Sequence, residues 1–209
     1  MKKIKKSTEN EMVYEFLKME IFSDRYEKKI NNILKELNVD RDIIINGDIA
    51  SEYENIIRAE VLGRFRGYNK NEELFEGFPT SKIDWIWTVF DKEDIYKIKY
   101  INYCYWNELS NYTGSPVEAA KAIISGKTVY GVSNDGFIYT FQDLKNGVIF
   151  PPLIMLTDSA ESEYIILEGH KRMTAYGFDP ELFQNVSVLL GYCNNGELKN
   201  WYGNILDLN

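Results

Sequence analysis

The chain has 209 residues, 44% of them hydrophobic and 14% aromatic. That composition describes a folded protein of one medium domain, or a domain with an extension, and excludes a disordered chain. Its 24 Lys and Arg against 32 Asp and Glu give a net charge of −8 and a pI near 4.9, which argues against nonspecific DNA binding, because that binding depends on cations that neutralise phosphates.

The start, MKKIKK, is basic, but no apolar signal-like segment follows it. No apolar run reaches the roughly 18 residues of a membrane span, so the expectation is a cytoplasmic protein with no membrane partner. Cys104 and Cys193 lie far apart in sequence and outside any C-x-x-C pair, which reads as two reduced thiols.

Residues 1–98 read as a mainly helical N-terminal region. ENEMVYEFLKMEIF sets Met12, Phe16 and Met19 on one helical stripe. Ser23 can cap a second helix, DRYEKKINNILKELN, with Ile30, Ile33, Leu34 and Leu37 on one face. ASEYENIIRAEVLGRF places Tyr53, Ile57 and Val61 in helical register. RGYNKNEELFEGFPTSKIDWIW, punctuated by Gly, Asn and Pro, predicts a loop with aromatic anchors. DKEDIYKI predicts a short helix with an acidic first turn.

Residues 99–209 alternate strand and helix patterns. YINYCYW predicts a strand. SPVEAAKAIISG predicts a helix capped by Ser115, with Pro116 at its first position, Glu118 completing a capping box and Gly126 ending it. KTVYGV predicts a strand, SNDG a turn, IYTFQDLKNG a short helix, and FPPLIMLTD a strand with its prolines at the start. SAESE reads as a turn, YIILEG as a strand, HKRMTAYGF as a helix, DPELFQ as a turn or one helical turn and VSVLLGYC as a last strand. The expected fold class is α+β: a small mixed-sheet domain preceded by a helical extension.

The chemistry concentrates at YIILEGHKRMTAY. Residues 151–209 hold three Lys or Arg against eight Asp or Glu, and two of the three are Lys171 and Arg172. They follow Gly169 and His170, the only histidine, at a strand-to-helix junction. A helix N-terminus exposes free N–H groups and favours an anion. Arg can grip a phosphate bidentately and Lys can act as a point charge. Three cations there without an anion would oppose the helix dipole by about 0.3–1 kcal/mol each, so the pattern favours a phosphate site over ordinary first-turn polar residues. No second His or Cys stands at ligand spacing, which argues against a metal. No P-loop and no G-x-G-x-x-G is present.

ILEGHKRMTAY resembles the signature of the ParB/sulfiredoxin-like superfamily, a strand followed by a basic phosphate-binding motif and a helix. The likeness covers roughly residues 100–193. It implies a nucleotide-binding protein whose ligand is a nucleoside triphosphate or diphosphate, with or without Mg²⁺. By the resemblance, Gly169 is the motif glycine, and Lys171 and Arg172 hold phosphate oxygens with Glu168, His170 and Thr174 around them. His170 stands where sulfiredoxin carries its reactive cysteine, which argues against reductase chemistry. Likeness to free-serine kinases within the superfamily points to Glu108 as a general base toward a hydroxyl-bearing acceptor, with a solvated loop carboxylate as the alternative. A wider likeness to a group of bacterial proteins, through RFRGY, LFEGFP, YWNELS and LEGHKRMTAY, implies no activity.

Arg66 and Tyr68 can fold over the nucleotide, Arg66 on a phosphate and Tyr68 on a base. Alternatively, Arg66 marks a helix C-terminus capped by Gly67. The free N–H groups of TGSPVE offer a second phosphate contact beside their capping role. Three functions follow: a nucleotide-dependent phosphotransferase or hydrolase acting through Glu108 and His170; a non-catalytic nucleotide-sensing module that meets a protein partner through the helical region; and a ParB-like nuclease, which the acidic balance disfavours.

Overall fold

The structure is a computed structural model that describes residues 1–79, 83–159 and 161–193 together with Leu198 and Trp201. Residues 80–82 of the expected loop, residue 160 of the SAESE turn and most of the chain beyond 193 lie outside the described residues.

In chain order, β1 (Lys2–Lys6) precedes α1 (Glu9–Glu20), α2 (Glu27–Glu36), the single turn α3 (Asp42–Ile45) and α4 (Glu52–Arg66). A 3-10 turn at Glu73–Phe75 precedes β2 (Ile83–Phe90), and another at Asp94–Lys97 feeds the two-residue β3 (Ile98–Lys99). Then come α5 (Cys104–Leu109), α6 (Pro116–Ile124), α7 (Asp135–Lys145), β4 (Leu153–Thr157), β5 (Tyr164–Glu168), α8 (His170–Phe178), a 3-10 turn at Pro180–Leu182 and β6 (Val186–Cys193).

The strands form one six-stranded mixed sheet in the order β1-β2-β6-β4-β5-β3. β6 runs parallel to β4, and β5 parallel to β3; the other neighbours are antiparallel. Strand residues alternate between two faces. Trp85, Ile154, Leu156, Ile165, Leu167 and Leu189 enter a core closed by α1 to α4. Ile86, Leu153, Met155, Tyr164, Ile166, Val188 and Leu190 enter a core closed by α5 to α8. The architecture is three layers, and each Leu, Ile or Phe buried there contributes about 1.5–3 kcal/mol.

The boundary expected between residues 98 and 99 does not divide this sheet, because β1 and β2 of the N-terminal region join β6. KKIKK, part of the basic start, forms the edge strand, where exposed lysines discourage further pairing. IDWIWTVF, expected within or after a loop, alternates faces as an interior strand. YINYCYW is not a strand: the ladder stops at Lys99, the Tyr100 N–H bonds Gly114 O (2.9 Å), and the chain turns into α5. KTVYGV is not a strand either. It folds back on itself through one Val129–Val132 bridge, with Tyr130 and Gly131 at φ of 50° and 69°. The SNDG residues expected to form a turn instead lead into the helix, which begins at Asp135.

Local signals hold elsewhere. Ser115 Oγ accepts from Glu118 N (3.4 Å) and Pro116 opens α6, but the Glu118 carboxylate takes Lys121 Nζ (2.7 Å). Gly67 ends α4 at φ 84°. Ser23 does not cap through its hydroxyl; its carbonyl receives Tyr26 N and Glu27 N before α2 starts.

A buried arginine ties the helical layer together. Arg58, 0% exposed, donates to Ile43 O, Asp48 O, Asn55 Oδ1 and Glu54 Oε2 at 2.6–2.9 Å, and its guanidinium lies 5.0 Å from the Tyr14 ring.

Candidate functional site

β5 runs three residues past the end of its parallel neighbour β3, where Lys99 pairs with Ile165, and its last residue, Glu168, pairs with Ile154 at the start of β4. Carboxyl ends of parallel strands are where ligands bind in open α/β sheets. Gly169 turns the chain from β5 into α8 at φ 103°. A Cβ there would stand 2.4 Å from Leu153 Cδ2, so the backbone conformation and the packing both require glycine.

α8 starts without a side-chain cap and without an acidic residue in its first turn. Its positive dipole end is therefore uncompensated from within the helix. Three of its residues go in different directions. Lys171 is exposed, and its stem runs along the start of α7, close enough that a Cβ on Gly136 would lie 3.7 Å from Nζ.

Arg172 turns inward and is spent on the protein. Its guanidinium donates to Pro151 O (2.5 Å), Pro152 O (2.9 Å), Met19 Sδ (2.8 Å) and the Glu168 carboxylate. The paired basic positions expected to share phosphate oxygens are thus divided. Arg172 braces β4, β5 and α1 around the junction, with Glu168 as its counter-ion.

His170 lies flat against aromatic rings, 5.1 Å from Trp106 at 19° and 6.0 Å from Tyr100 at 11°. Its Nε2 is sealed from solvent and has no hydrogen-bond partner. Burial, aided by the guanidiniums of Arg66 and Arg172, pushes the imidazole down to about 3, so it is neutral at physiological pH.

Arg66, in the last turn of α4, reaches the same place from the helical layer. Its guanidinium packs 5.6 Å from the Tyr26 ring and 5.8 Å from that of Phe65. Among the described residues it makes no hydrogen bond or ion pair, and its Nε is buried without an acceptor. Its two expected roles coexist: Gly67 caps the helix, and the guanidinium still faces the junction.

Glu20 completes the group from the last turn of α1. Burial and the nearby Glu168 carboxylate push it up to about 7, against the lowering pull of Arg66, Arg172 and Arg25. Sequence reasoning missed Glu20. Its signal is a lone acid set among Met19, Ile21 and Phe22.

Three expected residues lie elsewhere or are already committed. Thr174 is fully buried, with its hydroxyl bonded to Tyr100 OH (2.7 Å) and His170 O (2.8 Å). Tyr68 is 5% exposed and donates to Glu9 Oε1 (2.9 Å), so its ring has no face for a base. Glu108 takes the Tyr112 hydroxyl (3.2 Å), and its backbone carbonyl accepts from Lys127 Nζ. No interaction joins Glu108 to His170, Arg172 or Arg66. Near it, a separate polar cleft of about 280 Å³ is lined by Lys99, Asn102, Asn107, Tyr112, Thr113, Gly114 and Glu163. Among the described residues, no three His, Cys, Asp or Glu stand together as metal ligands.

No family model, curated protein or solved structure matches this chain. The junction brings together one buried neutral imidazole, a guanidinium unpaired among the described residues, a carboxyl near neutrality and an uncapped helix start. Together these can receive an oxyanion, which would give Arg66 a counter-charge and complete the first turn of α8.

Proposed function

We propose that this protein binds the phosphate group of a nucleotide at the start of α8, between Arg66 and His170. The observation that carries the reading is the Arg66 guanidinium, unpaired among the described residues and with a buried Nε, in a chain with eight more acids than bases. A partly buried charge without a partner is costly, and an anion offsets that cost. Arg66 supplies the charge, α8 supplies N–H groups, and exposed Lys171 draws the anion in. Arg172 with Glu168 holds the junction in shape. Half-buried Tyr103 offers an aromatic ring for a base. The ParB/sulfiredoxin-like assignment belongs to this proposal, supported by the strand, the positive-φ glycine and the helix that follows.

Of the three functions, binding without turnover is favoured. Glu108, the expected base, points to Tyr112 rather than to the cluster. Isothermal titration with inorganic phosphate and with nucleoside di- and triphosphates, with and without Mg²⁺, tests the reading. Binding by the wild type and its loss in a folded Arg66→Met variant is the expected result. Absence of binding across the panel, or retention by Arg66→Met, refutes it.

A further inference from the structure

The polar cleft of about 280 Å³ beside β3 shares no lining residue with the start of α8. The chain builds it by folding back on itself. Lys99 ends β3, Tyr100 N–H donates to Gly114 O (2.9 Å) and Lys99 Nζ donates to Thr113 O (2.8 Å), so residues 113–114 run alongside 99–100. Ser110, 0% exposed, holds this return: its hydroxyl accepts from Gly114 N (3.0 Å) and donates to Trp106 O (2.8 Å). The volume falls just below the roughly 300–1,000 Å³ of clefts that hold drug-sized ligands, a size for one small ring.

Two amides set the chemistry of the cleft. Asn107 Nδ2 donates to Asn102 Oδ1 (2.5 Å), and Asn102 is only 5% exposed. Among the described residues, Asn102 Nδ2 has no acceptor and Asn107 Oδ1 has no donor. Turning both amides over exchanges their roles and leaves the same pair unsatisfied, one donor and one acceptor. A hydroxyl group donates and accepts at a single oxygen, so neighbouring hydroxyls meet such a pair. Charge is already balanced: Lys99 Nζ lies 3.6 Å from the Glu163 carboxylate, and these are the only charged side chains among the described lining residues. An ion would have to break that pair, whereas an uncharged ligand would not.

Tyr112 adds an apolar surface. It lines the cleft, is 74% exposed, and its hydroxyl is tied to Glu108 Oε1 (3.2 Å), so a tethered aromatic ring stands in water. Its φ is 63°, a region that bulky residues rarely occupy, and such strain collects at ligand clamps.

We propose that this cleft binds an uncharged cyclic polyol of monosaccharide size, with Asn102 and Asn107 bonding adjacent hydroxyls and Tyr112 packing against the C–H face of the ring. This is a second site, independent of the anion site at α8.

The test is to titrate isotope-labelled protein with D-glucose, D-galactose, D-mannose and myo-inositol. The signals to follow are the side-chain NH₂ groups of Asn102 and Asn107 and the ring of Tyr112. At least one of the four should give saturable shifts at these groups. Asn107→Asp keeps the shape but replaces an amide donor with a charge, and should weaken that binding about tenfold. Tyr112→Ala should weaken it about fivefold; because the ring is exposed, its removal leaves no cavity in the core. Thermal melts establish that both variants are folded. Absence of saturable shifts with all four compounds, wild-type affinity in both folded variants, or displacement of the bound polyol by inorganic phosphate overturns the assignment. Acetamide is the control for an amide ligand: shifts of the two asparagines with acetamide and with none of the polyols also overturn it.

Discussion

Replacing His170 with Gln separates the cost of burying an imidazole from everything else that titrates in this protein. The chain has one histidine, so the perturbation is unambiguous. In the folded state His170 is pushed from 6.5 to about 3. Its folded pKa lies below its unfolded one, so the unfolded chain binds the extra proton between those values. Stability is therefore lost as pH falls from 6.5 toward 3. At pH 4.5 the difference amounts to two units at about 1.36 kcal/mol each, an upper limit of about 2.7 kcal/mol. The ring is only half-buried by surface area, which lowers the expectation to about 2 kcal/mol. Urea unfolding of wild type and His170→Gln at pH 7.0 and 4.5 reads this directly. Both proteins share Glu9 and Glu20, whose raised values favour the folded state as pH falls, so those contributions cancel in the comparison. The variant should gain about 2 kcal/mol on the wild type between the two pH values. A difference that stays constant with pH, or an imidazole that titrates near 6.5 in the folded protein by NMR, would refute the buried-imidazole argument.

Other substitutions test the framework. Arg172→Leu leaves Glu168 without its counter-ion and two proline carbonyls without donors, so it should cost about 3–5 kcal/mol in urea unfolding; a loss below about 1 kcal/mol would contradict its role as a brace. Gly169→Ala forces a side chain into the left-handed region and into Leu153, and should cost at least about 1–2 kcal/mol by the same measurement. Arg58→Met orphans four acceptors in the helical layer and should destabilise by about 3–5 kcal/mol while leaving phosphate affinity unchanged in any preparation that folds.

The legible parts of the fold were those written in local chemistry. Ser115-Pro116 specified a helix start, Gly67 and Gly126 specified ends, and the apolar runs before Thr157 and Glu168 specified buried strands. What local chemistry cannot carry is pairing. β1 shows in sequence only as a basic start, its lysines are all exposed, and pairing with β2 makes it a strand. YINYCYW has the composition of a strand, but its rings were needed elsewhere. Tyr100 and Trp106 stack at 4.6 Å over the second core and against His170, which a helix at residue 104 permits. Tertiary packing there overrides β propensity.

The junction was legible as a position, and its division of labour was not. Consecutive residues on a helix point about 100° apart, so His170, Lys171 and Arg172 cannot face one phosphate together. The sequence shows three adjacent cations; the structure shows a stacked neutral ring, a surface amine and an internal brace. Arg66 was identifiable as an arginine near a helix end, but only the fold brings it to a histidine more than a hundred residues away. Glu20 had no motif at all, since its significance lies in what surrounds it in space.

The most direct test of the central claim is to titrate inorganic phosphate into isotope-labelled protein at pH 6.5 and follow the His170 imidazole nitrogens, the Arg66 Nε–H and the backbone N–H groups of residues 170–172. Saturable shifts confined to those groups, with the imidazole pKa rising as phosphate binds, are the predicted result. Unchanged His170 and Arg66 signals, or shifts that map to the cleft around Lys99 and Asn102, would contradict it.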